Sequence, residues 1–132
     1  MGEEIILSAG GKSGFVEING KITADIQEAI KDLEIIMLVV PVLGREAFII
    51  EFAPHLEDGQ IIAIWPDYFG ALQCMKLLKD LRVKRDIAIA GTENLIYNCT
   101  KLGEGRVRNK GQKEKMLLSV FPSKKKKLLL IY

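Results

Sequence analysis

The chain has 132 residues, enough for one hydrophobic core, and its 48% apolar and 27% charged side chains exclude a disordered or fibrous protein. Nineteen basic residues against seventeen acidic ones leave a net charge of +2, which gives no overall drive toward nucleic acid or an anionic membrane. Apolar runs stop at about six residues, far short of the ~20 that cross a bilayer, and the acidic start Met1-Gly2-Glu3-Glu4 is unlike a signal peptide; a cytoplasmic protein is expected.

Glu4 to Leu7 and Phe15 to Ile18 are short apolar or alternating runs separated by Ala9-Gly10-Gly11-Lys12-Ser13-Gly14, a pattern that predicts an N-terminal β-hairpin. Thr23 or Asp25 then caps a helix from Asp25 to Leu33, with Ile26, Ala29, Ile30 and Leu33 on one face. The run Ile35-Ile36-Met37-Leu38-Val39-Val40 predicts a strand buried on both faces, ended by Pro41. A second helix is predicted from Arg45 to Leu56, with Phe48, Ile49, Phe52 and Leu56 inward and Asp58-Gly59 as its stop. Gln60 to Trp65 is a second buried strand, ended by Pro66. Phe69 to Leu81 is the next helix, with Leu72, Met75, Leu78 and Leu81 in phase, and Asp86 to Ala90 is the third strand.

Strands alternating with helices over short loops predict a doubly wound α/β core of three parallel strands. Beyond it, Leu95 to Cys99, Arg106 to Lys110 and Lys115 to Phe121 are predicted strands that add antiparallel to one edge of that sheet.

In an open α/β sheet, ligands bind beyond the carboxyl ends of the parallel strands, which here carry Pro41-Val42-Leu43-Gly44, Pro66-Asp67-Tyr68-Phe69-Gly70 and Gly91-Thr92-Glu93-Asn94. Glu93 and Asp67 stand where a catalytic carboxylate would, but nothing in the sequence pairs with them, so solvated turn carboxylates are expected. Gly10-Gly11-Lys12-Ser13-Gly14 has neither the glycine spacing of a phosphate loop nor a helix after it, and reads as a hairpin turn. Cys74 and Cys99 have no metal-ligand spacing and read as buried or half-buried free thiols, and His55 as a partly exposed helix-end residue; no metal site is expected. Arg106, Arg108, Lys110, Lys113 and Lys115 alternate without the interleaved aromatics of a nucleic-acid platform, so a solvated sheet face is expected there.

Several of these residues together resemble a known family. Ile22-Thr23-Ala24-Asp25-Ile26-Gln27-Glu28-Ala29, the following strand and Val39-Val40-Pro41 resemble the second half of the coenzyme domain of the octopine/nopaline (opine) dehydrogenases. The resemblance continues through Leu56 to Ile62, Gly70-Ala71-Leu72, Thr92 to Tyr97 and Val120-Phe121-Pro122, covering about residues 3–123. It implies a Rossmann-like domain of an NAD(P)-dependent enzyme that reductively condenses a keto acid with an amino acid. Pro41, Val42 and Pro66 would lie beside the dinucleotide, and Thr92 and Glu93 would approach its nicotinamide side.

The departures are specific. The family's first strand and G-x-G-x-x-G turn would precede residue 1, and its catalytic helical domain would follow residue 123. Arg45 stands where the family tends to carry His, Pro66-Asp67-Tyr68-Phe69-Gly70 replaces a glycine-rich turn, and Thr100 replaces an Arg. The expectation is therefore a truncated Rossmann-like domain at 1–123 and a tail at 124–132. The lysine run of that tail suggests a frameshift scar or, otherwise, a basic strand-forming end. The protein is expected to be oxidoreductase-like, without catalytic residues of its own, binding part of an NAD or NADP molecule or none. The alternatives are a non-enzymatic dimeric interaction module and one half of a split dehydrogenase. With its first partner strand absent, a homo-oligomer is expected, joined through the exposed Ile35 to Val40 edge or through a sheet face.

Overall fold

A computed structural model of the chain describes residues 4–9, 12–17, 20–104 and 106–123. The tail at 124–132 and the Gly10-Gly11 turn lie outside the described residues. Contacts divide the chain into two compact units, Met1–Ile22 with Leu95–Met116, and Thr23–Asn94 with Leu117–Tyr132.

The first unit is a four-stranded sheet. β1 (Glu4–Ala9) and β2 (Lys12–Glu17) form the expected antiparallel hairpin. β6 (Tyr97–Gly103) and β7 (Arg106–Gln112) form a second antiparallel pair, with register shifts near Cys99 and Gly103. β1 pairs parallel with β7, giving the order β2-β1-β7-β6. The expectation that these two later strands extend the edge of the parallel sheet is thus corrected. β7 takes β1 as its second neighbour, a pairing of Ile6 with Arg106 between chain segments about one hundred residues apart that no local pattern encodes. Cys99 in β6 is exposed rather than buried.

The second unit holds the parallel sheet. β3 (Ile35–Leu38), β4 (Ile61–Ile64) and β5 (Ala88–Thr92) run parallel, and β8 (Leu118–Phe121) closes the order β3-β4-β5-β8 as an antiparallel edge. α1 (Ile26–Ile30), α2 (Arg45–Phe52) and α3 (Gly70–Asp80) join one core cluster with Ile36, Leu38, Ile62, Ile64 and Ile89. The alternate strand residues Ile61, Ala63, Ala88, Ala90 and Val120 form a second cluster. Every residue of β4 is buried, as its unbroken apolar run requires.

Local signals set the element ends. Asp25 caps α1 by accepting the Glu28 amide at 3.1 Å, and the Thr23 hydroxyl joins the Glu28 carboxylate at 2.8 Å, so both candidate caps contribute. Gly59 takes φ +91°, but as part of the Asp58-Gly59 turn closed by Gln60 N on Glu57 O rather than as a helix end, since the last helical residue is His55. Buried Gln60 satisfies its whole amide, donating to Ile30 O and Leu33 O and accepting from Glu57 N.

Three burial expectations are corrected. β3 ends at Leu38, and Met37 (58% exposed) and Val39 (55%) face solvent, because β3 is the outer strand of its sheet among the described residues. Phe48 is exposed and Arg45 takes the inward position beside Ile49 and Phe52. In α3 the inward residues are Gly70, Ala71, Cys74 and Leu78, whereas Leu72, Met75 and Leu81 are exposed. α3 packs against α2 and β5, and its small residues permit that close approach.

Candidate functional site at the strand ends

Parallel order brings the carboxyl ends of β3, β4 and β5 to one edge of the second unit. Pro41 and Val42 follow β3 and are both exposed, Val42 opening a short 3-10 turn over Val42–Gly44. Pro66 follows β4 through a cis peptide and is half-buried. Thr92 ends β5 and is fully buried, its hydroxyl 3.0 Å from Asn94 O and 3.3 Å from Ile64 O. Glu93 is exposed, and its amide donates to Leu117 O at 3.1 Å.

A cleft of about 380 Å³ gathers Asp67, Tyr68, Thr92 and Glu93 with Leu117 and Leu118. Thr92 and Glu93 are therefore brought together, and Pro41, Val42 and Pro66 are not among the residues lining this cleft.

The turn between β4 and α3 forms the wall of the cleft. Asp67 is half-buried, which corrects the solvated reading of its carboxylate. Its amide donates to Thr92 O at 2.8 Å, and its Oδ1 accepts the Ala71 amide at 2.6 Å, capping the first turn of α3. A Cβ on Gly91 would lie 2.5 Å from the Asp67 Cγ, so glycine is what lets this carboxylate settle against β5. Tyr68 (φ 40°) and Phe69 (φ 64°) are both left-handed, and both rings are exposed. Such conformations in non-glycine residues cost on the order of 1 kcal/mol each and persist only where surrounding contacts enforce them.

Arg45 is the residue that sequence reasoning missed as a component of this turn. It is 0% exposed and donates from Nη1 to Asp67 O at 2.5 Å and from Nη2 to Pro66 O. Its position at the start of α2 was visible in the sequence, but its carbonyl partners lie 21 and 22 residues away. No group of three or more His, Cys, Asp or Glu side chains among the described residues is arranged to hold a metal ion. No described helix is long and apolar enough to cross a membrane. Burial pushes the Cys74 thiol from 9.0 up to about 12, which keeps it in its neutral form.

No family model matches the chain. Opine dehydrogenase of Arthrobacter sp. (strain 1C) is 28% identical over 105 residues, covering 79% of this chain and 29% of that protein. The structure of octopine dehydrogenase with NADH and L-arginine superposes with a TM-score of 0.76 at 23% identity, over 89% of this chain and 30% of that one. NADP+-bound yersinopine dehydrogenase gives a TM-score of 0.66 at 20% identity, over 88% and 29% respectively. The chain thus spans about 30% of the length of these relatives. By its residues and by its Rossmann-like α/β fold, the chain is similar to a part of the opine dehydrogenases.

Proposed function

We propose that this chain forms the nicotinamide-side rim of a coenzyme site of opine-dehydrogenase type, and that by itself it contacts part of an NAD or NADP molecule without catalysing. The observation that carries this reading is that Pro41, Pro66 and Thr92–Glu93 each follow or end one of three adjacent parallel strands, at the edge where open α/β sheets take ligands. Octopine dehydrogenase and yersinopine dehydrogenase, which share the fold, carry NADH and NADP+.

The residues at this edge fit one half of a dinucleotide. Exposed Pro41, Val42 and the Tyr68 ring supply flat apolar surface, and Glu93 supplies an exposed carboxylate. A diphosphate finds a poorer match, because Asp67 already occupies the Ala71 amide at the start of α3, and Asp67 and Arg45 fill the spaces beside Gly91 and Gly70. The fit predicts weak binding in the millimolar range. In a complete enzyme of this class the cofactor would supply hydride for condensing a keto acid with an amino acid. Titration with NADH and NADPH, followed through emission of Trp65 beside Pro66, tests the reading; a silent signal at millimolar cofactor contradicts it.

A second reading rests on the open edge of β3. Ile61 N donates to Glu34 O and Trp65 N to Leu38 O, so the alternate groups of Ile35 and Met37 point away from β4. Beside that edge runs a groove of about 320 Å³ lined only by apolar side chains, among them Ile26, Leu33, Met37, Val39 and Phe48. A strand with one free edge among the described residues, next to an apolar groove, favours pairing with another strand, from a second copy or from a separately encoded glycine-rich half.

A further inference from the structure

We propose that Arg45 is a positioning residue: a buried clamp that holds the β4–α3 turn in its left-handed conformation and so fixes the wall of the cleft beside Thr92 and Glu93. The effect on ligand rests on the dinucleotide reading above; the clamp itself does not.

Arg45 is fully buried, and the ion pairs Lys76–Asp80 and Arg85–Asp58 do not include it. An uncompensated buried cation is expensive, so its surroundings must supply negative potential. That potential comes from two consecutive main-chain carbonyls, those of Pro66 and Asp67. In extended chain, successive carbonyls point to opposite sides. Both reach one guanidinium only where the backbone at Asp67 leaves the extended form, and the second of them, Asp67 O, is also the acceptor that closes the turn over left-handed Tyr68 and Phe69.

The forked geometry of the guanidinium matches two carbonyls in a way a single ammonium does not. Gly70 completes the fit: a Cβ there would lie 2.6 Å from Arg45 Nη1 and 3.0 Å from Ile64 Cγ2, so the guanidinium occupies the space a side chain would fill. The Asp67 carbonyl also accepts the Gly70 amide at 2.6 Å, so the clamp acts on the atom that closes the turn. On its other side the same residue is tied to Thr92 O and to Ala71 N. Arg45, which follows β3, thereby joins the ends of β4 and β5.

Amide hydrogen exchange tests the clamp directly in the full chain. Arg45→Lys and Arg45→Met should speed exchange at Asp67, Gly70 and Ala71 by about tenfold or more while residues 61–64 change little. Ile49→Val, a buried change on the same helix, should leave the turn amides in step with the core. Gly70→Ala, which keeps the charge but displaces the guanidinium, should reproduce the local signature even if an Arg45 variant fails to fold. Turn amides that stay in step with 61–64 in every variant that folds would overturn the clamp. Parallel NADH titrations separate the two ideas. A turn that loosens in variants of a chain that binds no NADH leaves the clamp standing and removes the dinucleotide reading.

Discussion

Asp67 occupies the space that a side chain on Gly91 would need: a Cβ at Gly91 would lie 2.5 Å from the Asp67 Cγ. One glycine at the end of β5 thus admits the carboxylate that caps α3 and shapes the cleft wall. Gly91→Ala should destabilise the fold by about 1–3 kcal/mol, the usual cost of overpacking a filled site. Thermal denaturation checks this. Adding Asp67→Ala should make the combined loss smaller than the sum of the single losses, because the clash and the cap are one interaction. Strict additivity would contradict the contact.

Cys74 gives a pH-dependent prediction. Its thiol is pushed from 9.0 up to about 12 by burial, so the folded state keeps a proton that the unfolded chain releases. The raised folded value means that its contribution to stability is complete below pH 9.0 and is lost progressively up to about pH 12. Cys74→Ala should show a flatter decline of stability over that window than the parent chain. A thiol reagent at neutral pH should label exposed Cys99 rapidly and Cys74 only after denaturation.

Much of the parallel sheet was legible in the residues. Ile61 to Ile64 is an unbroken apolar run between Gly59 and Pro66, and only a doubly covered strand suits it. The inward face of α3 was legible only at Leu78, because the stripe Leu72, Met75, Leu78 and Leu81 is as good a helical pattern as Ala71, Cys74 and Leu78. The close approach of α2 selects the smaller set. The partners of β6 and β7 were hidden for a different reason: the parallel match of Ile6 with Arg106 joins chain segments about one hundred residues apart, and no local signal encodes such a pairing. At the site, Pro41, Pro66 and Thr92–Glu93 could be placed at strand ends from periodicity alone. Arg45 could not be placed, because a helix-start arginine ordinarily faces water and its burial depends on two distant carbonyls.

The edge of β3 yields a prediction about assembly. If β3 pairs with a second copy, sedimentation at micromolar concentration should show a dimer. Met37→Lys and Val39→Lys should then shift it toward monomer with stability changes within about 0.5 kcal/mol, because both side chains are more than half exposed. A parent chain that sediments as a clean monomer would contradict pairing between copies.

The central claim concerns where a dinucleotide touches this chain, and amide chemical-shift mapping during an NADH titration tests it most directly. Shifts that grow with NADH at Val42, Thr92 and Glu93, at the ends of β3 and β5, are the predicted result. Amides that do not move at millimolar NADH, or shifts confined to the basic face of Arg106, Arg108 and Lys110, would contradict it.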